Sequence, residues 1–288
     1  MKNLLMLILV SFCGCSSVTG TNDIPVVNTA QFSDAGIVRK AVIVGLTAVD
    51  PKSYDGWAGD CPGCDVDANS MFAVCSNTGI SAELLYNEKA TWLNVRASIS
   101  QAASSLRSND LLIIFMSGHG GQVADDNGDE EDGLDETICL GDGQVRDDKV
   151  LELIQTFPSG LRVVLINDQC HSEGNFRSFT RALQRTVSVG YWGRKQGKPL
   201  IKISRKDAKT AKNDIRLIQF AGCREASYSY GAEDGGTWTQ ALLATLSSDL
   251  SWQGWFKSAQ KKMPSNQVPV WVEYGNVTDF FRNGQALK

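Results

Sequence analysis

Two residues of this chain could form a nucleophile and its base, and each stands where an apolar run ends. Arg162-Val163-Val164-Leu165-Ile166 leads into Asn167-Asp168-Gln169-Cys170-His171-Ser172. Leu111-Leu112-Ile113-Ile114-Phe115-Met116 leads into Ser117-Gly118-His119-Gly120-Gly121. A thiol attacks carbonyls as the thiolate, so it needs a base or a cationic partner. The chain has two histidines, His119 and His171. His171 adjoins Cys170, and neighbouring side chains diverge on an extended strand. His119 is therefore the candidate base and Cys170 the candidate nucleophile. The plainer reading makes Cys170 a buried structural thiol and His119 a loop histidine. The matching placement of both, at the exits of buried runs, favours chemistry.

The elements that must position them follow from the same patterns. Short β-branched apolar runs bounded by polar residues read as buried strands. Lys40–Leu46 is the first, followed by a glycine- and proline-rich loop, Val49–Cys64. Asp65–Thr78 has helical spacing at Val66, Met71, Phe72 and Val74. Ala82–Tyr86 reads as a strand, and Thr91–Leu106 as a helix with Trp92, Val95, Ile99 and Leu106 on one side. Later strands are expected at Ile215–Gly222 and Val268–Tyr274, with a helix beginning near Gly235-Gly236-Thr237. This alternation predicts an α/β fold, a mostly parallel central sheet with helices on both faces. In such sheets ligands bind at the carboxyl edge, where Cys170 and His119 fall.

The 288 residues suffice for one large α/β domain or two small ones. With 28 basic and 32 acidic side chains there is no global bias toward nucleic acid. Residues 1–14 combine Lys2, the apolar run Leu4–Val10 and a small-residue end, the pattern of a secretory signal. Gly14-Cys15-Ser16-Ser17 resembles a bacterial lipoprotein processing site, with lipid on Cys15; a plain secretory signal cut nearby is the alternative. Residues 15–38 would then be a polar tether at the cell envelope, anchored to the membrane without crossing it, and 39–288 the folded domain. Cys61, Cys64, Cys75, Cys139 and Cys223 remain, an odd number, so they cannot all pair. Cys61-Pro62-Gly63-Cys64 could close a local disulfide outside the cytoplasm. A zinc site is rejected, because no second CxxC exists and both histidines stand beside the proposed chemistry.

Two charged stretches flank the nucleophile. Asp125–Glu136 is dense in carboxylates and reads as a solvated loop; the EF-hand pattern fails because Glu130 occupies the required glycine position. Arg177–Arg216 holds twelve Lys/Arg against Asp207 and Asp214, which reads as a mobile solvated segment.

The SGHG motif and the D-x-C-H-S motif, each after an apolar strand, resemble the catalytic signatures of caspase-like cysteine peptidases, closest to metacaspases and their bacterial relatives. The resemblance runs from about Lys40 to about Trp271. It implies a Cys170–His119 dyad, with the backbone N–H groups of Gly120 and Cys170 holding the oxyanion. It also implies that Cys64, Asp67, Ser117 and Asp168 bind the residue before the scissile bond, P1. Two carboxylates there favour Arg or Lys in peptide and protein substrates. Asp135, Asp147 and Asp148 match the family's calcium ligands, with Ca2+ as an activator rather than a chemical cofactor. Gly174-Asn175-Phe176-Arg177 stands where a further family aspartate is expected. The enzyme is expected to act as a monomer and to cut itself within the basic 177–216 segment. The rival from another class is a catalytically silent caspase-like module that binds partners at a membrane surface.

Overall fold

Strand and helix alternate through the first half of the chain as the apolar periodicity requires. The computed structural model describes residues 36–124, 134–170, 200–202, 214–223 and 229–287. In chain order these form β1 (Arg39–Gly45), α1 (Cys64–Asn77), β2 (Ser81–Tyr86), α2 (Trp92–Ser104) and β3 (Leu111–Ala124). The hairpin β4 (Leu134–Leu140) and β5 (Gly143–Arg146) follows, then α3 (Asp147–Ile154) and β6 (Arg162–Cys170). The remainder comprises β7 (Leu200–Lys202), β8 (Arg216–Ala221), β9 (Gly231–Ala232) and β10 (Gly235–Gly236). It ends with α4 (Thr237–Ala244), α5 (Trp252–Gln260), β11 (Val270–Gly275) and α6 (Asp279–Asn283).

The main sheet has the order β2-β1-β3-β6-β8-β11-β7. Its first five strands are mutually parallel. A parallel sheet must be covered on both faces, and its central strands are correspondingly apolar throughout. Val95, Ile99 and Ala102 of α2, at helical spacing, cover one face with Val150, Leu153 and Ile154 of α3. Ala68, Met71, Val74 and Cys75 of α1 cover the other, beside Trp238 and Leu242 of α4. There Phe220 lies among the rings of Trp252, Trp255, Phe256 and Trp271, with centroids 5.2–6.1 Å away. Each such pair adds about 0.5–1.5 kcal/mol beyond its buried area. Thr91 and Ser251 start α2 and α5 by accepting hydrogen bonds from Asn94 N and Gly254 N, caps worth about 1 kcal/mol each.

The sheet is mostly parallel, as the sequence reading has it, with β11 antiparallel to β8. The structure departs from the sequence reading in two places. The acidic stretch is not loop to its end: Leu134, Asp135 and Glu136 open β4, drawn into a ladder by the buried Ile138, Cys139 and Leu140. The basic run is not without regular structure, since Leu200–Lys202 forms a strand that pairs with Trp271–Glu273 at the sheet edge. The proposed signal, the proposed tether up to residue 35, residues 125–133 and most of the basic segment lie outside the described residues.

Candidate active site

β3 and β6 pair in parallel from Leu111↔Arg162 to Ser117↔Asp168 and His119↔Cys170. β3 parts from β1 after Ser117 and from β6 after His119, and from Gly120 onward it pairs with β4. A strand that exchanges partners at the carboxyl edge opens a crevice there, the position where open α/β sheets bind ligands. His119 and Cys170 are the last residues before that opening. The Cys170 thiol lies outside the described residues; its backbone closes β6 opposite His119.

His119 is buried, and its ring packs against Trp57 with centroids 4.9 Å apart. Its Nε2 lies 3.1 Å from the Asp60 carbonyl oxygen. A carbonyl only accepts, so Nε2 carries the proton in this contact and Nδ1 is the nitrogen that can take one. The loop supplying both partners is tied to the sheet. Val49 N donates to Ala58 O, Asp50 N to Gly141 O and Cys61 N to Thr47 O, at 2.8–3.0 Å. Tyr54 stacks edge-on to Trp57 and donates its hydroxyl to Leu140 O at 2.7 Å.

Two residues before the pair, Ser117 and Asp168 meet Asp67 from the first turn of α1. Ser117 Oγ donates to Asp67 Oδ2 and Gly236 N to Asp67 Oδ1, both at 2.8 Å. Asp168 Oδ1 accepts from Ser229 Oγ at 2.8 Å; Oδ2 accepts from Thr239 N at 2.8 Å and Thr239 Oγ1 at 2.7 Å. Thr239 lies in the first turn of α4, where free N–H groups favour an anion. Both carboxylates are out of water, Asp67 at 2% and Asp168 at 0% exposure. Burial, then the neighbouring Asp168, pushes Asp67 up to about 7, and burial raises Asp168 as well. Gly236 is required here: a Cβ would stand 2.3 Å from Asp168 Oδ2 and 2.9 Å from Asp67 Oδ2.

Cys64, the first residue of α1, is bonded to Cys61, so the CPGC turn is a disulfide. Gly63 between them has φ 86°, and a Cβ there would fall 2.0 Å from Ala232 O. The turn thus touches the β9–β10 hairpin on one side and supplies the Asp60 carbonyl on the other. Cys75, Cys139 and Cys223 are buried; burial pushes the Cys75 and Cys139 thiols up to about 12, which leaves them unreactive. A Cys61→Ser, Cys64→Ser double variant should lose about 2 kcal/mol of stability at most, because the closed loop is short. Its kcat should fall several-fold more than its KM rises, because His119 loses a fixed anchor. Thermal melting beside steady-state kinetics tests this; unchanged kcat would disconnect the disulfide from His119.

The sequence reading brought together Asp67, Ser117, Asp168, His119 and Cys170. It missed Trp57, Asp60, Ser229 and Thr239. The Gly235-Gly236-Thr237 signal was the available clue to Thr239, whereas a backbone carbonyl such as that of Asp60 leaves no sequence trace. The Gly120 backbone pairs with Ile138 of β4. The side chains of Asp135, Asp147 and Asp148 lie outside the described residues. Their backbones share one end of the β4–β5 hairpin, where Thr137 pairs with Arg146. Among the described residues no group of three or more His, Cys, Asp or Glu is arranged to hold a metal ion.

A mostly parallel sheet covered on both faces, with histidine and cysteine closing adjacent central strands, defines a caspase-like α/β domain. Residues 38–281 match the family profile described as Peptidase_C14, Caspase domain, so the chain belongs to that family. It is 31% identical over 159 residues to Metacaspase-1 of Schizosaccharomyces pombe, covering 50% of this chain and 36% of that protein. It is 29% identical over 149 residues to Metacaspase-4 of Arabidopsis thaliana, covering 48% and 34% respectively. The matched part thus spans about a third of the length of these curated relatives. The crystal structure of protein GSU0716 from Geobacter sulfurreducens superposes with a TM-score of 0.70 at 29% identity, over 87% of this chain and 98% of that one.

Proposed function

We propose that this chain is a cysteine endopeptidase that cleaves after Arg or Lys, with Cys170 as nucleophile and His119 as base. The observation that carries the reading is the β3–β6 register, which pairs His119 with Cys170 and, two residues earlier, Ser117 with Asp168. His119 takes the thiol proton, and the sulfur attacks the scissile carbonyl carbon. The oxyanion that forms needs fixed donors, and the N–H groups of Gly120 and Cys170 are the proposed ones. The imidazolium returns its proton to the leaving amine, and water then releases the acyl group from sulfur. Labelling with a peptidyl electrophile carrying Arg at P1, against one carrying Asp, tests the assignment. Modification of Cys170 by the Arg reagent alone supports it; labelling by neither reagent would favour the silent binding module.

The P1 preference rests on Asp67 and Asp168, two carboxylates that share one buried pocket. Asp67→Ala or Asp168→Ala should cost about 2–4 kcal/mol of transition-state stabilisation for Arg and Lys substrates. Comparing kcat/KM for Arg, Lys and Gln at P1 measures it, and an unchanged ranking would move the pocket elsewhere.

Anchoring and self-processing belong to the same proposal. Lipid on Cys15 would hold a monomer at the cell envelope; among the described residues no helix is long and apolar enough to cross a membrane. The basic segment 177–216 begins a few residues after Cys170 and offers many Arg and Lys. Self-cleavage is expected within 190–212, accelerated by Ca2+ if Asp135, Asp147 and Asp148 take up the ion. Incubating wild type and Cys170→Ala with and without calcium, then sequencing new amino termini, checks both points. New ends that never follow Arg or Lys would refute it.

A further inference from the structure

The acid pocket is shut. Asp67 and Asp168 are both buried, and Gly236 of the β9–β10 hairpin lies against both carboxylates. Its two residue pairs, Gly235↔Ala232 and Gly236↔Gly231, make it small. Its Gly236 N–H already occupies Asp67 Oδ1, where a substrate cation would be expected to bind. We infer that this buried arrangement is a closed state holding one proton on the Asp67–Asp168 pair, and that a cationic P1 side chain enters by displacing Gly236 and expelling that proton. This rests on the basic-P1 reading above and adds how that site is controlled.

Geometry carries the inference. Asp67 Oδ2 and Asp168 Oδ2 both come within 3 Å of one point, the place a Cβ on Gly236 would occupy. Two anions so close and so dry cannot both persist without a counter-charge. Among the described residues the charged groups facing Asp67 supply none. α1 contributes Asp65 and β6 contributes Asp168, both negative and both raising Asp67. β3 contributes the Ser117 hydroxyl, with His119 two residues further on. The hairpin contributes the Gly236 N–H, with exposed Glu233 and Asp234 at its turn, and α4 contributes Thr239 and Gln240.

The donors also divide the two roles. Among the described residues three donors hold Asp168, including the α4 amino terminus, while Asp67 has two. The pair as a whole takes up the proton, which lies mainly on Asp67. Entry of the cation leaves two carboxylates and one bound cation, and the proton passes to the buffer. Substrate affinity is then linked to pH through the pocket, separately from the titration of the His119–Cys170 pair.

The test uses the full chain carrying Cys170→Ala and an uncleaved peptide with Arg at P1. Calorimetric titration in two buffers of different ionisation enthalpy counts protons. At about pH 6 close to one proton should leave per peptide bound, falling toward none by about pH 8.5, and Kd should weaken about tenfold per pH unit below 7. A second variant adding Asp67→Asn should bind weakly and release no proton. A citrulline peptide, equal in shape but neutral, should release none from either protein. Binding of the Arg peptide with no proton released and a flat Kd would overturn the inference while leaving the basic-P1 reading intact. Failure of the Arg peptide to bind at any pH would overturn both.

Discussion

Cys170→Ala should leave no measurable hydrolysis of an Arg-containing peptide, and His119→Gln should do nearly the same. A nucleophile and its base act as one unit, so removing either forfeits most of the rate, about 10^4-fold or more. Glutamine suits the test better than alanine. His119 is buried against Trp57 and faces the Asp60 carbonyl, so truncation would leave a hole and an unpaired acceptor. Glutamine keeps a donor for that carbonyl but provides no base. Melting within a few degrees of wild type, together with lost turnover, would locate the effect in chemistry. Substantial turnover by Cys170→Ala would end the assignment, and would turn attention to His119 and the carboxylate pair instead.

What the sequence disclosed here depends on whether a residue's role is local or relational. Apolar runs revealed β1, β3, β6 and β8 because a strand buried on both faces has little choice of composition. Asp168 and Cys170 share a strand parity, so spacing puts them on one side of β6, while the pocket role of Asp168 came from the family resemblance. The β4–β5 hairpin stayed hidden because its start is acidic and its burial comes from pairing with the outer half of β3. β7 was obscured by the basic residues around a three-residue strand that pairs with β11. Ser229 and Thr239 are ordinary hydroxyls in sequence; only the fold reveals that both point at Asp168, 61 and 71 residues away. The Asp60 carbonyl is a backbone atom, which no residue pattern encodes.

Asp67→Asn should stabilise the protein at pH 8 and do little at pH 4. In the unfolded chain Asp67 gives up its proton near its ordinary 3.8, whereas in the folded chain burial and Asp168 hold it to about 7. Between those values the folded state binds the extra proton, so stability is full below about pH 4 and is lost as pH rises through 7. A shift of this size corresponds to roughly 4 kcal/mol by pH 8. Asparagine is neutral at every pH and still accepts from Gly236 N, so the variant escapes the loss. Denaturant midpoints for both proteins at intervals from pH 4 to 8 give the difference directly, and groups that do not interact with Asp67 cancel in it. A difference that stays flat across that range would mean that the folded pocket carries both charges unaided. A difference that grows with pH would show the wild type giving up stability to keep a carboxylate where a substrate cation can use it. The Asp67→Asn protein would then be the more stable of the two and the poorer at cleaving after Arg.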